Sequence, residues 1–150
     1  MVVTVISAAT PAGTVLGFDF GTRRIGVAVG ETGTGIAHPL ATIADPAPGL
    51  RFEAIGALIE TWRPVLLVVG LPTHADGTAH PMTAQARRFA RRLEGRFGLP
   101  VACSDERFTT QAAARALHGA GVRGRAGKAV RDQVAAQLIL QAYLDQHRPS

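Results

Sequence analysis

The stretch Thr-Val-Leu-Gly-Phe-Asp-Phe at residues 14–20, followed at once by Gly-Thr-Arg-Arg and by Ile-Gly-Val-Ala-Val at residues 25–29, decides the fold. Two short apolar runs joined by a glycine-containing turn predict a β-hairpin. Side chains alternate between the two faces of a strand, so Asp19 lies on the face opposite Phe18 and Phe20. A carboxylate among such neighbours is costly unless it is paired or binds a metal ion.

Asp19 therefore has two interpretations. It is the first ligand of an active site, or it opens the turn at Gly21, because Asp is common ahead of glycine in turns.

The rest of the chain alternates helical and extended patterns. After the hairpin it predicts a strand at 37–43, a helix at 50–62, a buried strand at 65–69, a helix at 82–97, a strand at 101–104, and helices at 111–117 and 128–146. This order predicts an α/β fold, with a mixed five-stranded sheet of three antiparallel and then parallel strands and helices on both faces. We expect one domain at 14–147 after a flexible lead-in at 1–13.

Two segments between these elements carry turn residues. Residues 70–81 predict a solvated or substrate-contacting loop, because Pro72, Gly77 and Pro81 interrupt regular structure. Its polar residues His74, Asp76 and His80 are of types that can bind a metal ion, but they lack the spacing of a zinc motif. The glycine-rich stretch 119–127 predicts a mobile segment whose Arg123 and Arg125 meet an anion.

The 16 basic residues exceed the 11 acidic residues and give a net charge of +5. Fifteen of the basic residues are arginine and one is Lys128. Arginine matches phosphate oxygens in pairs, so the balance favours a polyanionic partner, although codon bias also produces it. Cys103 is the only cysteine, which excludes an intrachain disulfide and fits a cytoplasmic location. No apolar run reaches the roughly 20 residues of a membrane span.

The predicted helix at 82–97 is apolar on one face and rich in arginine on the other. The basic face comprises Arg87, Arg88, Arg91, Arg92 and Arg96, with Glu94 as its one acid. This face is either a solvated surface or a ridge that follows a phosphate backbone.

Three further acids have two interpretations each. Asp132 is stabilised by the helix dipole near a helix start, or it leans over the sheet toward Asp19. Asp105 and Glu106 are adjacent at a strand end, so one points into a site when the other points away, or both belong to a charged loop.

Four motifs occur in order along residues 14–146. They are Asp-Phe-Gly-Thr-Arg-Arg-Ile-Gly-Val-Ala at 19–28, Val-Gly-Leu-Pro at 69–72, Asp-Glu-Arg-Phe-Thr-Thr at 105–110, and Lys128 and Asp132 ahead of Ala135-Ala136. Together they resemble the bacterial YqgF (RuvX) family. Its members are similar to RuvC-type Holliday junction resolvases, have the ribonuclease H fold and are implicated in maturing the 5′ end of pre-16S ribosomal RNA.

The resemblance implies a metal-dependent endonuclease that hydrolyses phosphodiester bonds, in 5′-end maturation of pre-16S rRNA or in Holliday junction resolution. It implies that Asp19, Glu106 and Asp132 bind one or two Mg²⁺ or Mn²⁺ ions, with Asp105 in reserve. Related resolvases commonly carry an acid at the end of the fourth strand, where this chain has Gly70-Leu71-Pro72. Glu106 would then replace that acid.

The nucleic-acid partner would be structured RNA or branched DNA. Arg107 holds a flanking phosphate or neutralises the acids beside it. The residues expected to hold phosphates are Arg23, Arg24, Arg88, Arg92, Arg107, Arg123, Arg125 and Lys128. Symmetric cutting of a junction needs a homodimer, whereas a monomer suits RNA trimming.

Two other functions compete with the nuclease. One is a non-catalytic ribosome-assembly or transcription factor that binds nucleic acid and keeps a vestigial site. The other is an actin-like or sugar-kinase ATPase, because residues 19–22 also resemble that superfamily's phosphate loop; those proteins use two such domains to enclose the nucleotide.

Overall fold

The computed structural model describes residues 11–72, 81–105 and 124–147, with the backbone alone for 124–126. The strands are β1 (Thr14–Phe20), β2 (Ile25–Glu31), β3 (Ile36–Ile43), β4 (Leu66–Leu71) and β5 (Val101–Asp105). The helices are α1 (Pro48–Trp62), α2 (Thr83–Phe97) and α3 (Gly124–Gln146). The predicted helix at 111–117 lies outside the described residues.

The five strands form one sheet in the order β3-β2-β1-β4-β5. β1 pairs antiparallel with β2, and β2 with β3. β1 pairs parallel with β4, and β4 with β5. The predicted mixed sheet is confirmed, and β1 lies at its centre.

Each face of the sheet has its own apolar core. On one face Phe18 and Val69 pack with Ile55 of α1 and Leu93 of α2. On the other face the sheet packs against α3, whose buried residues include Ala136, Ile139, Leu140, Tyr143 and Leu144. The prediction of helices on both faces is therefore confirmed.

Glycines let α3 approach the sheet closely. A Cβ atom on Gly17 would lie 2.8 Å from the Cβ of Leu140, and one on Gly30 would lie 2.9 Å from Cδ1 of Leu144. Real Cβ atoms essentially never come this close to another heavy atom. Glycine at these strand positions thus sets the spacing between helix and sheet.

Two glutamines of α3 cover the edge strand β3. Gln141 accepts a hydrogen bond from the backbone N–H of Ala37 at 2.9 Å, and Gln137 donates one to the Ala37 carbonyl at 3.1 Å. Backbone groups at a sheet edge otherwise invite pairing with another chain. These bonds fix the helix lengthwise along the sheet.

Helix α3 begins earlier than the sequence predicts. Residues 124–127 belong to it, although we expected a mobile segment up to 127. Thr42 of β3 donates a hydrogen bond to the Ala129 carbonyl at 2.7 Å and holds this end on the sheet. Tertiary packing here overrides the low helix propensity of glycine.

The other element ends differ less. β4 continues through Leu71, so the predicted 70–81 loop starts two residues later; residues 73–80 lie outside the described part of the chain. Of the predicted lead-in, residues 1–10 are likewise outside it, and Gly13 donates a hydrogen bond to the Thr32 hydroxyl. Among the helices that the structure describes, none is both long and apolar enough to cross a membrane.

Candidate active site

Asp19 lies near the end of the central strand β1, on the face that α3 covers. It is in register with Gly26 of β2, and the ladder continues to the pair Phe20 and Ile25. Asp19 is therefore part of the strand, ahead of the turn, and its side chain is half-buried. This position favours a role for Asp19 on the α3 face over a role in opening the turn.

Asp132 of α3 lies directly over Gly26. A Cβ atom on Gly26 would lie 1.9 Å from the Asp132 carbonyl oxygen, so this glycine touches the helix backbone. Since Gly26 is also the cross-strand neighbour of Asp19, the two aspartates converge on one point of the sheet. The backbone of Asp132 thus lies against the strand residue that pairs with Asp19, and a site shared by the two aspartates stays a prediction.

The helix dipole does not account for Asp132. Because α3 begins at Gly124, Asp132 is more than two turns into the helix. The effect of the dipole on a carboxylate is confined to about the first turn.

Asp132 forms an ion pair with the turn between β1 and β2. Nε of Arg24 donates a hydrogen bond to Oδ2 of Asp132 at 2.6 Å, with the two side chains 35% and 20% exposed. Arg24, predicted to hold a phosphate, is thus engaged with a predicted metal ligand. Both side chains remain partly open to solvent.

Asp105 ends β5 on the other face of the sheet. It is in register with Leu71 and shares a face with Cys103, which packs in the α1 and α2 core. The α3 face of the same strands carries Gly70 and Ser104. Asp105 and Asp19 thus lie on opposite faces.

Glu106, the third predicted ligand, lies outside the described residues. Within residues 11–72, 81–105 and 124–147, no three His, Cys, Asp or Glu side chains are grouped so as to hold a metal ion.

Arg51 fixes the turn that carries Arg24. It is only 7% exposed, and its guanidinium donates to the carbonyls of Asp45 at 2.6 Å, Gly21 at 3.1 Å and Thr22. A buried charge with three backbone acceptors is stabilising, whereas without them it would be strongly destabilising. Arg51 therefore positions the β1–β2 turn against α1.

A cavity of about 350 Å³ opens on the face opposite Asp19, between the turn, α1 and α2. It is lined by Phe20, Ile25, Pro48, Arg51, Phe52, Gln85, Arg88, Phe89 and Arg92. Two of the predicted phosphate-binding arginines, Arg88 and Arg92, are thus brought to its rim.

The arginines of α2 lie in two adjacent rows, because residues four apart on a helix lie on the same side. Arg96 stacks its guanidinium on Phe52, 5.4 Å from the ring centroid. Arg87 and Arg91 lie toward Cys103: burial raises the pKa of the Cys103 thiol, while these two positive charges oppose the rise. Arg88, Arg92 and Arg96 therefore form one row, of which Arg92 and Arg96 line a second depression together, and Arg87 and Arg91 form another.

The remaining predicted contacts are scattered. Arg23 is exposed in the β1–β2 turn, and Lys128 is exposed near the start of α3. Arg107 and Arg123 lie outside the described residues, and only the backbone of Arg125 is described.

The sequence analysis did not identify Arg51 as the residue that holds the turn, Gly26 as the contact point of α3, or the cavity. A glycine within an apolar strand run signals close backbone approach, so Gly26 had a readable signal. Arg51 had none, because its acceptors come from the turn and from the segment before α1.

Known proteins resemble this chain over most of its length. The family model described as RuvX, Holliday junction resolvase, matches residues 13–146. A protein of Nitrosomonas europaea is 59% identical over 134 residues, covering 89% of this chain and 90% of that protein. One of Methylobacillus flagellatus is 56% identical over 138 residues, covering 92% and 94%. Both carry the name "Putative pre-16S rRNA nuclease".

Two solved structures share the fold. T. thermophilus RuvC in complex with a Holliday junction substrate has a TM-score of 0.51 at 19% identity, covering 92% of this chain and 99% of that one. The yeast mitochondrial Holliday junction resolvase has a TM-score of 0.54 at 16% identity, covering 95% and 84%. These likenesses confirm the predicted resolvase-like, ribonuclease H-like architecture.

Proposed function

Because this chain belongs to the RuvX family of Holliday junction resolvases, we propose that it is a metal-dependent endonuclease that hydrolyses phosphodiester bonds in structured nucleic acid. We assign precursor 16S rRNA as its substrate, after the name of relatives that are 56–59% identical, and the 5′ end as the part that is cut, as the family resemblance implies. A four-way DNA junction is the second candidate, after the family description.

One observation carries the proposal: Asp19 and Asp132 converge on Gly26. Two aspartates from distant parts of the sequence are thus placed beside the same residue near the end of a central strand, where α/β proteins commonly place their chemistry. An anionic substrate cannot approach such a pair unless a cation lies between them.

The donor set fits Mg²⁺ or Mn²⁺. Carboxylate oxygens are hard ligands that select these ions over zinc, and both aspartates are partly open to solvent. When bound, the ion supplies the positive charge that lets the phosphodiester approach and that stabilises the leaving oxygen. Asp19 and Asp132 would hold it.

Glu106 is proposed as the third ligand. Asp105, its neighbour, lies on the face of the sheet opposite Asp19. Since consecutive strand residues alternate faces, this favours Glu106 over Asp105 for a site shared with Asp19.

Basic residues around the site would hold the strand on either side of the reacting phosphate. Arg23 is exposed in the turn next to Asp19, and Lys128 is exposed one helical turn before Asp132. Arg24 would orient the Asp132 carboxylate through its hydrogen bond. Junction cutting would further require a homodimer, because two strands are cut symmetrically.

The test is a cleavage assay with a four-way junction and a precursor 16S 5′ end, each with Mg²⁺ or Mn²⁺ at stated salt. We expect faster cutting of the precursor RNA than of the junction, and much slower cutting of both by the Asp19→Asn variant. Faster cutting of the junction would reverse the substrate assignment. Failure to cut either would remove the nuclease proposal.

A second candidate is a non-catalytic nucleic-acid-binding assembly or transcription factor. The Arg24–Asp132 ion pair favours it, since Asp132 already has a cationic partner within the protein. This function predicts that Asp19→Asn leaves cellular rRNA processing intact, while charge reversal at Arg88 and Arg92 abolishes the factor's role. Accumulation of precursor rRNA in Asp19→Asn cells would exclude it.

A further inference from the structure

The cavity between α1, α2 and the β1–β2 turn has an aromatic floor. Phe20 and Phe89 lie with ring centroids 4.8 Å apart at an interplanar angle of 31°, and Phe52 lies 6.0 Å from Phe89. Phe89 and Phe52 are buried, whereas Phe20 is half-exposed. The ring of Phe20 is therefore partly exposed to the cavity, and the buried rings of Phe89 and Phe52 support it from behind.

The rim of the cavity is cationic. Arg88 and Arg92 are exposed and lie one turn apart on α2, with Gln85 one turn before Arg88. Arg51 lies deeper, and its guanidinium is bound to backbone carbonyls. The described residues that line the cavity include no acid, so its charge suits an anion with a planar apolar part.

The cavity adjoins the proposed active site. Phe20 directly follows Asp19 and points to the other face, and both residues precede the turn that Arg51 holds in place. Their Cα atoms are therefore about 3.8 Å apart. A nucleic-acid strand that passes over the turn would therefore reach residues on both faces of the sheet.

We propose that the cavity is a subsite for one unpaired nucleotide of the substrate strand. The base stacks on Phe20, the side-chain amide of Gln85 meets the base edge, and Arg88 and Arg92 hold the phosphate. A volume of about 350 Å³ accommodates one base with its sugar. A paired base could not enter, so the subsite selects strands with an unpaired flank. This inference rests on the proposed function for the nature of the ligand.

The test measures binding without cleavage. Affinity of the full-length Asp19→Asn protein is measured by fluorescence anisotropy, with a labelled single-stranded RNA of about ten nucleotides and a matched strand carrying abasic sites. Base stacking on an aromatic side chain is worth about tenfold or more in affinity. Phe20→Leu should therefore weaken binding of the normal strand about tenfold and leave the abasic strand nearly unchanged.

A matched pair of double variants tests the rim. Arg88→Gln/Arg92→Gln and Arg87→Gln/Arg91→Gln remove the same charge from the same helix at the same spacing, but only the first pair lines the cavity. We expect RNA affinity to fall about tenfold for the first pair and about twofold for the second. Direct phosphate contacts act locally, whereas salt screens the attraction of the protein's overall positive charge. Thermal unfolding of each variant checks that it is folded.

The outcomes separate the subsite from the nuclease proposal. Equal losses for both arginine pairs, or an equal effect of Phe20→Leu on both strands, would overturn the subsite even if the wild type cleaves RNA. Selective losses at the cavity would support the subsite even if the wild type cleaves nothing, and would then leave only the nuclease proposal refuted.

Discussion

Arg24 and Asp132 are joined by a hydrogen bond of 2.6 Å between Nε and Oδ2. The bond links the β1–β2 turn to the middle of α3 and brings a guanidinium to one of the two aspartates that converge on Gly26. Arg24 therefore has two opposing effects: it orients the carboxylate, and its charge competes with any cation bound there. The backbone of Asp132 is held independently by its contact with Gly26.

Replacing Arg24 by methionine should strengthen metal binding. Methionine keeps much of the side-chain volume but removes the charge, while the Gly26 contact still positions α3. We expect Mn²⁺ to bind about tenfold more tightly. The gain is no larger because both side chains are partly exposed and solvent screens the charge of Arg24. Calorimetric titration measures this directly. Weaker Mn²⁺ binding by the variant would mean that orientation outweighs charge competition.

Alanine substitutions at two glycines should act in opposite directions. Gly26→Ala places a Cβ 1.9 Å from the Asp132 carbonyl oxygen and forces α3 off the sheet. We expect the free energy of unfolding to fall by about 3 kcal/mol. Gly95→Ala on α2 meets nothing within 4 Å and should raise it by about 0.5–1 kcal/mol. Urea unfolding measures both, and a fall of similar size for the two variants would contradict the proposed contact.

Loss of the Arg51 guanidinium should loosen the β1–β2 turn. Arg51→Met leaves the carbonyls of Gly21, Thr22 and Asp45 without this donor, and we expect the free energy of unfolding to fall by about 2 kcal/mol. Trypsin should also cut faster after Arg23 or Arg24. Arg63→Met, at an exposed arginine that caps α1, is the matched control and should stay within about 0.5 kcal/mol. Equal changes for the two variants would show that the Arg51 bonds contribute nothing.

Cys103 should react slowly with alkylating agents. Burial raises its pKa, and Arg87 and Arg91 oppose that rise. Less thiolate is then present at pH 8 than in the unfolded chain, so iodoacetamide should react more slowly with the folded protein. Arg87→Gln/Arg91→Gln removes the opposing charges and should slow it further, whereas Arg88→Gln/Arg92→Gln should not. An unchanged rate in the first pair would place those arginines away from the thiol.

The same shift makes stability depend on pH. A thiol whose pKa is higher in the folded state favours folding below its unfolded pKa, and this contribution is lost as pH rises through the folded value. The free energy of unfolding should therefore fall at alkaline pH, less so for Cys103→Ala. Urea unfolding across this range measures the difference.

The sequence predicted the sheet because its signals were local. The alternation in 14–20, the continuous apolar run at 65–69 and the stripe around Phe89 each bury a face that the pattern alone identifies. The predicted start of α3 was wrong because the observed start depends on contacts such as that of Thr42 with Ala129, which join distant parts of the chain.

The candidate site was predictable only in part. Asp19 stood out as a charge within an apolar strand, and Asp132 followed from its helical face and the family resemblance. Their meeting point at Gly26, the Arg24 ion pair and the buried Arg51 depend on packing between segments remote in sequence. A glycine such as Gly26 signals that some backbone comes close, but no single residue identifies its partner in a distant segment.

The rate of RNA cleavage by aspartate variants tests the central claim most directly. Single-turnover cleavage of the precursor 16S 5′ end with Mn²⁺ is compared for the wild type, Asp19→Asn, Asp132→Asn and Asp145→Asn, the last being a control at the far end of α3. We expect the first two variants to lose about a thousandfold in rate, equivalent to several kcal/mol of transition-state stabilisation, and Asp145→Asn to match the wild type. Cleavage at the wild-type rate by Asp19→Asn or Asp132→Asn would contradict a catalytic site at Gly26.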